Sequence, residues 1–335
     1  MGSGMRLDRF VVVRQLESRF VGALFALSAT VLSMAIALPA LAEQAATEHK
    51  PPHEAATPAG ETDSSNDPHS LRHSALFVFR QNPLGITATY DAGYRYRLFD
   101  SDSVLLADSY VGAGLAATLT PAFGKIGIVA EAEPLAVLNL SATYELVGYF
   151  GAFGHLQSFQ STDVDFSDRA LSEGGDAGRD YRALGRQLTI GGTLQAMVGP
   201  VAARSTANLS HFDMDLREGD SVYYDITLDI LVPRQGWVYT NDADILYLGV
   251  NRLVTGVRHT YTRAFYGNTD GSASTHRLGP LIAYQLSDRS DGPFAEPTLL
   301  CLTGWWLSHP YRQGQEVSAL MPYVVFAFAF TGDFL

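Results

Sequence analysis

The chain has 335 residues, a formal net charge of −12, 17% charged residues and 47% apolar ones. With 18 Phe, 16 Tyr and 3 Trp available for burial, a chain disordered throughout is excluded. The acidic balance excludes broad binding to a phosphate backbone, so no nucleic-acid partner is expected. The single Cys301 excludes an intrachain disulfide framework and a multi-cysteine zinc site.

Arg6, Arg9, Arg14 and Arg19 precede the apolar run VGALFALSATVLSMAIAL, which ends in Pro39 and Ala40-Leu41-Ala42. A basic start, an apolar segment and small residues at −3 and −1 predict a secretory signal peptide over 1–42, cut after Ala42. The alternative is an uncleaved anchor helix, against which Pro39 and the Ala-x-Ala ending speak. Cleavage leaves 19 basic and 33 acidic residues, net −14. Residues 43–71 hold four prolines and, as far as Ser70, no apolar side chain larger than alanine. Such a segment has too little apolar surface to order itself, which predicts a disordered periplasmic linker. His49, His53, His69 and His73 lie in or beside it and read as solvated linker histidines.

From Arg72 onward the pattern has a period of two. Ile86, Ala88, Tyr90, Ala92, Tyr94, Tyr96 and Leu98 alternate with Thr87, Thr89, Asp91, Gly93, Arg95 and Arg97. Successive side chains of a strand point to opposite faces, so this is a strand with two environments. The alternation recurs around Leu138–Leu146, Leu188–Ala196 and Tyr224–Ile230, and in shorter form at Ile126–Glu133 and Leu278–Leu286. In the last strand Val324, Phe326, Phe328 and Phe330 share one side. A soluble β-sandwich and a membrane barrel both fit alternation. Segments of about ten residues or more suit a tilted membrane strand, whereas soluble strands usually run about 5–6. Aromatics near segment ends, among them Tyr94, Tyr96, Tyr149, Phe150, Phe265, Trp305 and Tyr323, suit interfacial girdles. A sheet in a bilayer must close, because an open edge leaves backbone groups unpaired.

On these features the stretch from Arg72 to Leu335 resembles bacterial outer-membrane β-barrel proteins as a class. The resemblance implies an all-β, antiparallel transmembrane β-barrel in the outer membrane of a double-membraned bacterium, with membrane lipid around it. It also implies that the C-terminal strand is read by the barrel-assembly machinery. In that class the strand usually ends in an aromatic residue, and here Phe334 is penultimate. The segments expected as strands are 74–81, 85–98, 104–118, 123–133, 137–152, 185–198, 201–214, 221–232, 252–266, 275–287, 297–308 and 320–332, about twelve, with ten to fourteen open. The segment 233–251 fits poorly, as a long periplasmic connection or an additional hairpin.

Three chemistries are open. The loop 153–184 carries Asp163, Asp165 and Asp168, and clustered carboxylates with Ser and Gly are calcium-ligand types. The spacing departs from the EF-hand, since Asp168 stands where that loop needs Gly, so an acidic solvated outer loop is the plainer reading. An outer-rim hydrolase would use His155, His259, His276 or His309. The outer-membrane phospholipases resemble this architecture but place a Ser two residues after their His on one face. Here His155 is followed by Leu156-Gln157 and His259 by Thr260-Tyr261, and Ser210 and His211 face opposite sides of a strand. No enzyme and no cofactor is therefore expected. The third chemistry lies in the inward charges Asp91, Arg95, Arg97, Glu131, Glu133, Glu145, Asp225, Asp229 and Arg258, which share the polar faces of their strands. With six acids against three bases they predict a narrow, cation-preferring pore, or a structural barrel if the two signs pair and plug the lumen. A secreted soluble β-barrel that binds a ligand is the remaining alternative, and oligomeric state is open.

Overall fold

The computed structural model describes residues 68–101, 103–267 and 273–334. The expected signal peptide and nearly all of the expected linker lie outside the described residues. The final part of that linker is corrected: His69–Leu71 are already paired with Tyr94–Tyr96 in the first strand.

Twelve antiparallel strands close into a barrel. They are β1 (His69–Gln81), β2 (Gly85–Arg97), β3 (Tyr110–Leu119), β4 (Phe123–Leu135), β5 (Leu138–Phe150), β7 (Arg182–Val198), β8 (Val201–Met214), β11 (Gln235–Leu248), β12 (Leu253–Ala264), β13 (Ser274–Gln285), β14 (Ala295–Ser308) and β15 (Tyr323–Asp333). Three short strands, β6 (Ser158–Phe159), β9 (Val222–Asp225) and β10 (Ile230–Pro233), form a separate sheet, and among the described residues one helix, α1, spans Asp168–Asp176. The last wall strand pairs with the first, Phe328 opposite Phe77, so no edge is left open.

The expected count of twelve holds, but its eighth member changes. The segment 221–232 is not a wall strand, and 235–248 takes that place between β8 and β12. The physical reason is a reversal at Ile226–Asp229. Asp225 Oδ1 accepts from the backbone N–H of Thr227 (2.8 Å) and of Leu228 (3.0 Å), and Asp229 turns to φ 56°. The exchange also gathers 151–181, 215–234 and 309–322 at one end of the barrel, while the opposite end has turns as short as 136–137 and 199–200. The expected strand start at 104 moves to Tyr110, after a loop.

The outer wall is apolar and exposed: Ile128 61%, Leu146 59%, Leu194 62%, Ile245 59% and Phe326 54%. A belt of this extent is a lipid-facing surface, so the barrel spans a membrane with strands. Inside, the wall falls into two arcs. Leu246, Leu281, Leu300, Leu302, Trp306 and Val325 point inward on β11–β15 and bury one another, filling that side. On β2–β7 the inward positions include Gly93, Gly112, Gly114, Gly127 and Gly191, which leave space. A Cβ at Gly114 would lie 2.3 Å from the Ala92 carbonyl oxygen, so these strands pack more closely than any side chain allows.

Candidate functional site

The space left by the glycines is a polar chamber of about 680 Å³. It runs from the short-turn end, at Ser70, Arg97 and Asp333, to the underside of Thr227 and Leu228 in the β9–β10 hairpin. Its wall carries eight Asp or Glu and five Arg side chains.

Alternation places these charges, because the even positions of β2 and β5 face lipid and the odd ones face the lumen. Of the inward set expected from sequence, Asp91, Arg95, Arg97, Glu131, Glu133, Glu145 and Arg258 line the chamber. Arg95 binds Glu131 at 3.0 Å and lies 4.2 Å over the Tyr110 ring, whose hydroxyl donates to the same carboxylate at 3.0 Å. Asp91 stands within electrostatic reach of Glu131 and Glu145. Arg258 donates to both Asp244 oxygens (2.7 and 2.8 Å) and to Asp242 (3.2 Å), and Arg204 pairs with Asp244 from the other side. Lys125 donates to Gln187 at 2.6 Å.

Asp225 and Asp229 are corrected. They belong to the hairpin and not to the wall, because the chain reverses between them. The residues missed from sequence are Lys125, Arg204, Asp242 and Asp244. Two of them sit on β11, whose inward Val238, Thr240, Asp242, Asp244 and Leu246 mix polar and apolar groups and so blur the two-faced pattern.

The hairpin closes the long-loop end. Its Tyr223, Ile230 and Val232 are buried against Phe123, Val147, Tyr149, Phe212 and Ala264 of the wall. Its tip crosses to the opposite wall, where Arg80 of β1 donates to the Thr227 carbonyl (2.9 Å) and the Ile226 carbonyl. Arg312, on the connection after β14, is 3% exposed in its side chain and ties three other loops together. It pairs with Asp229, donates to both Asp168 oxygens (2.8 and 2.9 Å) and donates to Asn82 Oδ1 (2.9 Å). Burial alone would raise the Asp229 carboxyl. The hydrogen bonds of His309 and Arg312 outweigh that and hold it well below the usual carboxylate range.

The expected calcium candidates are otherwise engaged or apart. Asp165 accepts from the Ser167 N–H at 2.9 Å, Ser167 caps α1, Asp168 serves Arg312, and Asp163 is exposed. Among the described residues no group of three or more His, Cys, Asp or Glu side chains is placed to hold a metal. The histidines named for a rim hydrolase do not meet at one point. His155 stacks on Tyr224, His309 lies 2.9 Å from the Asp229 carbonyl oxygen, and His259 and His276 sit together on the outer wall. Ser210 faces the lumen beside Thr189, and His211 faces outward against Trp237.

No protein-family model and no curated protein matches the sequence. Among solved structures the chain is similar to OccAB1 of Acinetobacter baumannii, at 12% identity over 74% of this chain and 58% of that one, TM-score 0.37. It is similar to LpxR from Salmonella typhimurium, at 10% identity over 78% and 99% of the two chains, TM-score 0.35. A third is the Pseudomonas putida toluene transporter TodX, at 10% identity over 79% and 88%, TM-score 0.32. The chain thus spans a little over half the length of OccAB1. At these identities the likeness is one of barrel architecture, and activity has to be read from this chain's own side chains.

Proposed function

We propose that the chain is an outer-membrane barrel that passes small cations through its polar chamber, with the β9–β10 hairpin as a closed outer gate. The long-loop end then faces outside and the short-turn end the periplasm. The observation that carries this reading is the chamber wall itself, where eight carboxylate residues face five arginines in a space walled by low-dielectric protein. Such walls focus the field of unbalanced charge onto whatever enters, and acidic rings favour cations. Arg312 joins the gate to α1 and to the β1–β2 turn, beside the hold of Arg80 on its tip and its apolar packing on the wall.

Planar-bilayer recording in a salt gradient tests both parts. Wild-type protein is expected to conduct rarely, and Arg312→Ala to raise the open fraction at least tenfold. The open state should show a cation-selective reversal potential that collapses in Asp91→Asn/Glu145→Gln. Anion preference refutes the chamber assignment. Silence in Arg312→Ala leaves the structural-barrel alternative, in which the hairpin is a permanent plug. A lipase and protease panel on the purified protein addresses the rim-hydrolase alternative.

A further inference from the structure

We propose that the chain forms a two-fold dimer in the membrane through the middle of β8, β11 and β12, a surface independent of the pore reading. Midway along β2–β7 the lipid-facing side chains are apolar, both bulky and small, as at Ile128, Ala130 and Ala142. Midway along β8, β11 and β12 polar side chains stand among small ones. The register sets Ala207 beside Asn241, and Ser205 beside Ala243 and then His259. These residues are half-buried and share the face of the exposed Ile245 and Val257. Asn241 Nδ2 donates to Ser205 Oγ (2.9 Å) and to the Thr206 carbonyl (3.2 Å), while Asn241 Oδ1 receives no hydrogen bond among the described residues. His259 Nε2 lies 3.3 Å from His276 Nδ1, which leaves one further ring nitrogen unpaired on each.

Hydrocarbon offers these groups nothing, and polar side chains at this depth persist where another protein surface satisfies them. The small side chains at 205, 207 and 243 let a second wall approach closely enough to do so. The patch contains both donors and an acceptor, and no Lys, Arg, Asp or Glu. A surface of that composition is complementary to itself about a two-fold axis, with no charge repulsion, and this selects a second copy of the chain as the occupant.

The test uses full-length protein in native membranes with Cys301→Ser, because Cys301 also lies on the lipid-facing side of β14. Ala207→Cys and Ala243→Cys, treated with a copper-phenanthroline oxidant, are expected to give a covalent dimer. Ile128→Cys, on the distant β4 wall, should remain monomeric. In nanodiscs the wild-type mass should be that of a dimer. Asn241→Leu/His259→Leu should shift it to a monomer while the barrel keeps its heat-modifiable gel mobility. A monomeric wild type, crosslinking no stronger than at Ile128, or a dimer that survives the double substitution would each overturn the proposal. So would recovery of the patch crosslinked to a different protein.

Discussion

The two arcs of the lumen are built from one secondary structure by opposite means. Along much of β11–β15 the inward side chains are apolar and fill the space against one another, while Thr240, Asp242, Arg258, Thr260 and Thr262 turn to the chamber. On β2–β7 the inward face is polar and glycine-rich, and the space stays open as a chamber. Closure fixes the circumference, and side-chain volume then decides where within it there is room. The chamber is therefore off-centre, and an account of passage has to run along β2–β7 and the polar inward positions of β8, β11 and β12. The β9–β10 hairpin spans both arcs, packing on wall residues such as Phe212 and Ala264 and reaching Arg80 on the far side.

The sharpest contrast between the charged chamber wall and the filled side is in what a deletion leaves behind. Arg258→Ala takes the arginine from Asp242, leaves Asp244 with Arg204 alone, and is expected to cost about 3–5 kcal/mol. Leu281→Ala, at a side chain 1% exposed in the filled arc, leaves a cavity and should cost about 2–5 kcal/mol. Urea unfolding of the refolded barrel in lipid measures both. Partial restoration by Arg258→Ala/Asp242→Ala, which keeps the Arg204–Asp244 pair, but not by any small substitution near Leu281 would confirm that one site fails by charge and the other by volume. Equal rescue at both would erase the distinction.

A smaller effect separates the two faces of one arc. Ile128→Arg, outward on β4, should cost about 2–4 kcal/mol near the midplane. Thr143→Arg, which lines the chamber from β5, should stay within about 1 kcal/mol because its head reaches water and carboxylates. The same unfolding assay ranks them, and equal costs would break the assignment of faces. Thr89, also inward, is a poorer probe because it is 3% exposed and has no room for a longer side chain.

The smallest effect is one of pH and contrasts two supports of the outer end. Burial pushes His155 down from 6.5 to about 4, so the fold holds its neutral form. That support is complete above about 6.5 and is lost as pH falls toward 4. Asp229 is also shifted down from its own reference, below the carboxylate range, but there the fold holds the charged form. Its contribution is complete above the ordinary carboxylate value and is lost only below it. Between pH 7 and 5, corrected amide exchange over 151–159 should therefore quicken while 222–233 keeps its protection. Parallel loss in both segments would show that the two do not open separately.

Alternation made the two-faced strands legible, and with them the inward direction of Asp91, Glu131 and Glu145. Even the filled arc has a trace in the text: TLLCLTGWWL and YVVFAFAF are nearly continuous apolar runs, as expected of strands buried on both sides. The hairpin was harder to see. YYDITLDILV alternates as a straight strand does, and only the two aspartates flanking Ile-Thr-Leu hint at a turn. Periodicity is a local property and cannot say whether a segment finds its partner in the wall or in the lumen. That choice belongs to closure: once β8 pairs with Gln235–Leu248, the segment before it has no wall position left and folds across the mouth. The meeting of Arg312 with Asp229 and Asp168, across 83 and 144 residues of chain, is set by the same closure, because it alone brings the four outer loops to one point.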